Sequence, residues 1–388
     1  MQIANRMEMI TPFYVMELLR RAKQLEAAGH DIIHMEIGEP DFATPEPITN
    51  AGLAYIKSGQ VKYTPAAGLP QLRQKIADFY WQRYQVKLPI ERIFITPGAS
   101  GAFLLALGVS LNPGDEVILS DPCYPCNQNF IRLFAGVVKH VPVYAETAYQ
   151  LSADLLQQHW QAQTQAVLVA SPSNPTGTII QATELEKIIN FVNAKQGLFF
   201  SDEIYHGLVY EPGIASALEF SDEVFVINSF SKYFGMTGWR VGWLIVPEAY
   251  TQAVEKLAQN IFISTSSHSQ YAALAAFDEL TLQELETRRL DFAQKRDFLY
   301  ASLVRLGFKV PVKPAGAFYI YADCSAFTDN SQQFAEQLLE VEGLAVTPGK
   351  DFGQNNCDQY LRFSYTASMQ KIKLAMQRLE RFISHQLS

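Results

Sequence analysis

The segment EVFVINSFSKYFGMTGWRVGWLIV (223–246) contains two short apolar runs joined by a turn rich in serine, glycine and charged residues. The runs EVFVINS (223–229) and VGWLIV (241–246) have the length and the β-branched and aromatic content of buried strands. Four similar runs precede them, with helical patterns between most of them, at residues 92–96, 116–120, 167–171 and 197–201. This alternation predicts an α/β architecture, with a mostly parallel sheet covered by helices on both faces.

A zone of different pattern begins near residue 280. It contains a long charged helical pattern, two strand-like runs and a terminal helical pattern, at residues 283–306, 318–322, 360–366 and 368–385. Strand pairs beside helices are typical of α+β folds. The sequence therefore predicts a smaller α+β domain at the C-terminal end of the chain. Nearer the N terminus, IIHMEIG (32–38) predicts a further strand and residues 12–28 a helix.

Composition excludes several classes of protein. The 388 residues are 48% hydrophobic and 18% charged, which is typical of a folded globular protein. The formal net charge of −8 argues against a nucleic-acid partner, because such proteins usually present a basic surface. The longest apolar runs are far shorter than the ~18 residues of a membrane span, and MQIANRMEMI (1–10) has no signal-peptide core. We therefore expect a cytoplasmic protein without a membrane partner.

The four cysteines indicate neither a disulfide framework nor a metal centre. Cys123 and Cys126 form a CxxC pair, which can be redox-active or half of a zinc site. A zinc site needs about four ligands, and Cys324 and Cys357 form no second pair. We interpret the thiols as packing residues and predict no metal site.

Residues that could bind a ligand or take part in catalysis directly follow the apolar runs. Ligands bind beyond the carboxyl ends of strands in open α/β sheets, so these segments are the first candidates for a site. They read PGASGA (97–102), DPCYP (121–125), PSNPTG (172–177), DEIY (202–205) and FSKYFGMTGWR (230–240). Five such segments at one sheet edge favour a composite site over a set of ordinary turns.

Lys232 and Asp202 are the two charged residues with the clearest chemical alternatives. A lysine is nucleophilic only as the free amine, which desolvation or a nearby charge such as Arg240 favours; the alternative is a solvated surface lysine. Asp202 follows the apolar GLFF (197–200), and a buried carboxylate needs a partner such as a protonated heteroaromatic nitrogen. Its alternative role is to cap a following helix.

The remaining strand-end residues suit a phosphorylated aromatic ligand. The segment 98–100 lies at a strand-to-helix transition, where backbone N–H groups can bind phosphate, and Ser229, Ser231 and Arg240 could add donors. The segment 98–100 matches neither the GxGxxG nor the GxxxxGK[ST] pattern of nucleotide-binding loops. The alternative interpretation of this segment is an ordinary turn with a serine cap. Asn174 could bond a ring oxygen and Tyr124 could stack on a ring, although turn and core roles are common for such residues.

Together these motifs resemble the class I/II aminotransferase family of pyridoxal-phosphate (PLP) enzymes of fold type I. The resemblance covers essentially the whole chain, and the ordered set is specific although each piece is weak. The motifs that carry it are IGEPDF (37–42), KYTPAAGLPQLR (62–73), PGASGA (97–102), DPCYP (121–125), SNPTG (173–177), SDEIY (201–205), SFSKYFGMTGWR (229–240) and LRFSYT (361–366).

The resemblance implies roles for the residues around the cofactor ring. Lys232 matches the lysine that forms the Schiff base with PLP, and Asp202 matches the carboxylate that faces the pyridine nitrogen. Asn174 and Tyr205 match the groups that bond the phenolic oxygen of the ring. Tyr124 matches the stacking aromatic residue. Lys232, Asp202 and Tyr205 are therefore the predicted catalytic residues.

It also implies a phosphate site and a substrate site. The phosphate cradle would consist of Ala99, Ser100, Ser229 and Arg240. Tyr63 matches a tyrosine that reaches the phosphate from the neighbouring subunit, which implies a homodimer with shared active sites.

Arg362 matches the arginine that binds the substrate α-carboxylate. Gly38 matches a glycine whose backbone lines the substrate pocket, and Asn174 is expected to border the substrate as well. The implied domains are a large PLP-binding domain at residues 46–280 and a small domain formed by an N-terminal arm, 1–45, together with 281–388.

The implied reaction moves an amino group from an L-amino acid to a 2-oxo acid, with Lys232 as general base and ping-pong kinetics. One departure concerns the substrate: some aspartate-preferring relatives have a lysine after the phosphate-loop glycines, whereas GASGA (98–102) has none. Alanine, aromatic or other neutral amino acids therefore stay open as donors. FYVM (13–16) could line the pocket or belong to the core of the first helix.

Three alternatives remain. A PLP-dependent β-lyase that cleaves C–S bonds would use the same cofactor residues. A PLP-sensing regulator would carry an added basic DNA-binding domain, which this acidic chain does not favour. A nicotinamide oxidoreductase is disfavoured by the missing glycine fingerprint.

Overall fold

A computed structural model of the chain describes residues 3–10 and 12–386. Its strands are β1 (Ile33–His34), β2 (Ile93–Thr96), β3 (Glu116–Asp121), β4 (Val137–Pro142), β5 (Thr164–Ala170), β6 (Leu198–Asp202), β7 (Val224–Ser229), β8 (Gly242–Ile245), β9 (Tyr319–Asp323), β10 (Leu344–Ala345), β11 (Thr347–Pro348) and β12 (Tyr360–Ser364). Its α-helices are α1 (Tyr14–Ala27), α2 (Glu46–Lys57), α3 (Pro70–Tyr84), α4 (Gly98–Ser110), α5 (Pro125–Leu133), α6 (Ala153–His159), α7 (Ala182–Ala194), α8 (Thr251–Ile261), α9 (Ser267–Leu274), α10 (Glu279–Leu306), α11 (Ser331–Glu342) and α12 (Met369–Gln386).

The central sheet has seven strands in the order β2-β8-β7-β6-β5-β3-β4. Strands β3 to β7 run parallel, whereas β8 is antiparallel to both β2 and β7. The predicted mostly parallel sheet is therefore confirmed. The run 241–246 lies within it but in the opposite direction, because a short connection of residues 230–241 returns the chain along β7.

Both faces of this sheet are buried, as the continuous apolar runs predicted. Along β5, Val167 and Val169 belong to one apolar cluster, and the alternating Ala166 and Leu168 belong to a second cluster on the other face. Successive strand side chains point to opposite faces, so both layers of helices cover apolar surface. Parallel strands buried in this way place all their carboxyl ends at one edge.

A smaller antiparallel sheet, in the order β11-β12-β9, confirms the predicted α+β region. The N-terminal arm joins it, because β1 pairs in parallel with β10. The proposed domain border at residue 280 stays a prediction. No helix in the described ranges combines the length and the apolar character that a membrane crossing requires.

The prediction of a strand over residues 32–38 was wrong in length, since β1 covers two residues. Beyond it, the carbonyl oxygens of Glu36 and Gly38 accept hydrogen bonds from the side chains of Arg362 and Lys232. These carbonyl groups therefore accept hydrogen bonds from charged side chains and not from the backbone of a neighbouring strand. Strand β4 was missed, because its sequence VVKHVP is mixed in polarity at the edge of the sheet.

Candidate active site

The sequence-predicted residues meet in one cavity of about 730 Å³ at the carboxyl ends of β5, β6 and β7. Ten of the predicted site residues line it: Gly38, Ala99, Ser100, Tyr124, Asn174, Asp202, Tyr205, Lys232, Arg240 and Arg362. Ser229 and Tyr63 are not among the lining residues. Residues from five strand-end segments and from both sheets therefore form one continuous wall.

Lys232 follows the end of β7, and its Nζ donates a hydrogen bond to the carbonyl oxygen of Gly38 at 2.7 Å. Burial lowers the pKa of this amine to about 8. The charges of Arg362 and Arg240 act in the same direction, while two nearby carboxylates oppose them. Because the free amine is the nucleophile, this environment makes Lys232 reactive near neutral pH.

Asp202 is the last residue of β6 and is 5% exposed. Its Oδ1 accepts a hydrogen bond from the backbone N–H of Ile204 at 3.2 Å. Burial raises the pKa of this carboxyl to about 7, and the Ile204 N–H and the Lys232 charge only partly offset that effect. A cation placed beside this carboxylate would be bound strongly, because it would compensate the desolvation.

Arg362 lies on β12 of the small sheet and is 3% exposed. Its Nη1 donates to Asn174 Oδ1 at 2.9 Å, and its Nη2 donates to the carbonyl oxygen of Glu36 and to Thr347 Oγ1. Its Nε is buried without a partner among the described residues. The guanidinium is thus held rigidly and keeps a donor for an incoming carboxylate.

Asn174, Tyr205 and Tyr319 form the polar wall between the two sheets. Since Oδ1 of Asn174 accepts from Arg362, its amide Nδ2 is left as a donor. The Tyr205 and Tyr319 hydroxyl groups lie 3.0 Å apart, and burial raises the pKa of both. Both phenols therefore stay protonated, and the one that accepts in this hydrogen bond keeps its own proton to donate to a ring oxygen.

The N terminus of α4 forms the other end of the cavity, with Ala99 and Ser100 on its first turn. Gly98 has a φ of +68°, and a Cβ there would lie 2.6 Å from Nη2 of Arg240, so glycine permits the guanidinium to pack against this turn. Arg240 Nη1 also donates to the carbonyl oxygen of Thr237 at 3.1 Å. A helix N terminus beside an arginine is a favourable phosphate site.

Ser229 is fully buried behind this site. Its hydroxyl donates to Ser231 Oγ at 2.8 Å, and Ser231 itself lines the cavity. Ser229 therefore contacts the cavity only indirectly, through its hydrogen bond to Ser231. Tyr63 is 81% exposed, so its side chain is free to serve another molecule.

Three residues of the site were missed by the sequence reasoning. Glu36 and Thr347 hold Arg362 in place, and Tyr319 pairs with Tyr205. The sequence FYIYA (318–322) predicted a strand, but it did not show which face of the sheet its tyrosines occupy. The four cysteines are unpaired, and the described part of the chain contains no group of three His, Cys, Asp or Glu residues able to hold a metal ion.

Comparison with known proteins shows the family to which the chain is similar. The family described as "Aminotransferase class I and II" matches residues 30–379. A (5-formylfuran-3-yl)methyl phosphate transaminase of Methanocaldococcus jannaschii is 37% identical, over 98% of this chain and 100% of the relative. A valine–pyruvate aminotransferase of Mycobacterium tuberculosis is 36% identical, over 97% of both chains. The crystal structure of an aminotransferase from M. tuberculosis superposes with a TM-score of 0.96 at 35% identity, over 99% of this chain and 100% of that chain.

The site has the features of a PLP enzyme of fold type I. The chain belongs to the class I and II aminotransferase family, and it is a PLP-dependent aminotransferase. Its residues fit the cofactor on structural grounds alone: a reactive amine, a buried carboxylate of raised pKa and a helix N terminus beside an arginine line the same cavity. The resemblance inferred from the motifs is thereby confirmed.

Replacement of Gly38 tests how tightly this wall is built. In Gly38→Ala the new Cβ would lie 1.8 Å from the Tyr319 hydroxyl, so the tyrosine must move together with its contact to Tyr205. We expect kcat/KM to fall about a hundredfold, because displacing an active-site group by about 1 Å can reduce the rate by that factor. Steady-state kinetics measures the effect.

Gly238→Ala is the matched control, because a Cβ at Gly238 meets nothing within 4 Å. Tyr319→Phe alone removes the hydroxyl contact with Tyr205 without introducing a Cβ at residue 38, so it should lower kcat/KM less than Gly38→Ala does. If Gly38→Ala and Gly238→Ala have the same kcat/KM, the close packing described for Gly38 is wrong.

Proposed function

We propose that Lys232, Asp202 and Arg362 divide the work of amino transfer from an L-amino acid to a 2-oxo acid. The observation that carries this proposal is the placement of one amine, one carboxylate and one guanidinium on the wall of a single cavity. PLP, when bound there, supplies an electron sink for the carbanion that forms at the substrate Cα. The protein supplies orientation, charge and proton movement.

Lys232 is the residue that bonds the cofactor and then acts as the base. Its Nζ accepts the proton that leaves the substrate Cα and can donate it again, which requires a pKa near the working pH. The shift of this pKa to about 8, caused mainly by burial, meets that requirement. The contact with the Gly38 carbonyl oxygen supports the position of Nζ at the substrate side of the cavity.

Asp202 binds the pyridine nitrogen and keeps it protonated. In the cavity its own pKa is raised to about 7, and a protonated nitrogen beside it would lower that pKa again, so the pair stabilises each other. Asn174 Nδ2 and the Tyr205 hydroxyl donate to the phenolic oxygen. Arg362 binds the substrate α-carboxylate with the fork of donors that a lysine does not have.

The pH dependence of cofactor attachment tests the role of Lys232. Lys232 would hold PLP through a covalent bond that only its deprotonated amine can form. Because the pKa is lowered, the attachment rate of the cofactor-free protein should rise with pH up to about 8 and then level off. Stopped-flow measurement of visible absorbance gives the profile.

The variant Lys232→Ala controls for unspecific attachment and should form no stable colour. A rate that keeps rising toward pH 10, where an ordinary lysine titrates, would contradict the lowered pKa. Colour at wild-type intensity in Lys232→Ala would show that another amine bonds the cofactor.

The proposal includes a homodimer in which Tyr63 completes the site of the neighbouring subunit. Tyr63 lies outside the cavity of its own chain, and the apolar side chains of Val61, Ile261 and Ile263 are exposed as well. Gln270 connects the two segments, because its amide donates both to Thr64 Oγ1 and to the Thr265 carbonyl oxygen. Exposed apolar side chains grouped in this way favour an interface.

We also propose a cytoplasmic location. The four cysteines form no disulfide, and unpaired thiols are typical of proteins in reducing compartments.

Mixed dimers test whether Tyr63 acts across the interface. The Tyr63→Phe homodimer should bind PLP about tenfold more weakly, because a hydrogen bond to a charged group is lost. Co-expression with Lys232→Ala under separate tags gives heterodimers in which one site has both wild-type residues. Titration with PLP should then reveal tight sites, about a quarter of the total in a statistical mixture.

Homodimers of each variant are the controls and should contain no tight site. If the mixed preparation also lacks tight sites, Tyr63 does not act in the neighbouring subunit. A monomer in sedimentation velocity would refute the dimer itself.

A further inference from the structure

One wall of the active-site cavity has no part in the roles assigned so far. It consists of apolar side chains that line the cavity beside the polar residues: Phe13, Val15, Met16, Leu19, Phe103 and Phe130. The first four come from the start of α1 and the residue before it, and the last two lie on α4 and α5. We call the first four residues the α1 wall.

Helix α1 is fixed to the small domain, so the α1 wall has a defined position. Its other face buries Leu18, Ala22 and Leu25 in an apolar cluster with residues that include Ile32 and Leu339.

At the start of the helix, the backbone N–H of Tyr14 donates to Asp351 Oδ1 at 2.9 Å. Phe13 packs edge-on against Tyr124, with ring centroids 6.2 Å apart. The α1 wall therefore adjoins Tyr124, the residue expected to stack on the cofactor ring, within the same cavity.

Each cation that lines the cavity already has a function in the proposed reaction. Lys232 bonds the cofactor, Arg240 lies at the helix N terminus of the phosphate end, and Arg362 receives the α-carboxylate. A substrate with a second carboxylate would find no other lysine or arginine among the lining residues that this chain itself contributes.

The remaining charged lining residues are acidic. Glu36 is fully buried; its Oε1 is paired with His34 Nδ1 at 2.7 Å, and its Oε2 has no partner in the described parts of the chain. Glu39 is exposed and accepts a hydrogen bond from Thr237. An unpaired carboxylate that leaves water for such a place carries a large desolvation cost and is repelled by like charges. An apolar side chain instead gains by leaving water.

We propose that the side chain of the amino donor lies against the α1 wall, and that the preferred donors have apolar or aromatic side chains. This inference rests on the proposed function and specifies its substrate class. Methionine, leucine and phenylalanine represent the class, and aspartate is the acidic comparison. Differences of about tenfold or more in efficiency are expected, since hydrophobic pockets discriminate on that scale.

The half-reaction of the PLP-loaded enzyme with a donor alone is the suitable experiment, because no acceptor then competes for the same wall. Single-turnover absorbance changes give an efficiency for methionine, leucine, phenylalanine, alanine, aspartate and lysine. We expect the three large apolar donors to exceed aspartate and lysine by about tenfold or more. Calorimetry with unreactive acids adds a binding readout: 4-methylpentanoate should bind more tightly than succinate.

Substitution of Met16 should change the donor preference, because this residue lines the cavity. Its side chain is 56% exposed, so a charge introduced there would stay hydrated. In Met16→Lys the efficiency with aspartate should rise and that with leucine should fall, which shifts their ratio by about tenfold. Met16→Gln should lower the efficiency with leucine without raising that with aspartate. Gln24→Lys adds the same charge to an exposed position of α1 outside the cavity and should leave the ratio unchanged.

The outcomes separate the substrate class from the reaction. If donors react but aspartate or lysine equals or exceeds the apolar donors, the proposed substrate class is wrong and the proposed function stands. If no donor reacts, including alanine, the proposed function fails and this inference with it. An unchanged donor ratio in Met16→Lys would show that the side chain does not lie against the α1 wall.

Discussion

The site depends on the burial of a carboxylate at the end of a central strand. Asp202 closes β6 between two other buried strands, with one backbone N–H as its hydrogen-bond donor. Desolvation raises its pKa to about 7, because the charged form of the carboxyl group is unfavourable at this buried place. In the proposed function a protonated ring nitrogen would compensate this desolvation, and the carboxylate would in return hold the ring in its electron-accepting state.

The fold brings the other charged groups to this carboxylate from distant parts of the sequence. Lys232 reaches the cavity because β7 ends beside β6, and Arg362 enters from the small sheet. The hydrogen bonds from Arg362 to Asn174 and to the Glu36 carbonyl oxygen join the small sheet, the N-terminal arm and the large sheet at one guanidinium. The position of this guanidinium, which we propose to bind the substrate carboxylate, is thus coupled to the packing of both sheets.

Much of this was predictable because strand ends in an open α/β sheet converge. The apolar runs located β2, β3, β5, β6 and β7, and the residues after them included Lys232 and Asp202. What sequence reasoning missed depends on contacts between distant segments. No local pattern shows that β8 runs antiparallel, or that backbone carbonyl groups of residues 36 and 38 accept from charged side chains. The face occupied by Tyr319 likewise follows from the register of β9 with β12.

The most direct test of the account is the single-turnover rate of Asp202→Asn, a replacement of nearly equal shape without the charge. Covalent attachment of PLP to Lys232 should persist, because the amine and the phosphate cradle are intact. Proton removal from the substrate Cα should slow by about a hundredfold to a thousandfold, since a preorganised charge beside the ring is lost. Asp202→Glu should recover part of the rate. If Asp202→Asn transfers the amino group at close to the wild-type rate, the buried carboxylate does not have the role assigned to it.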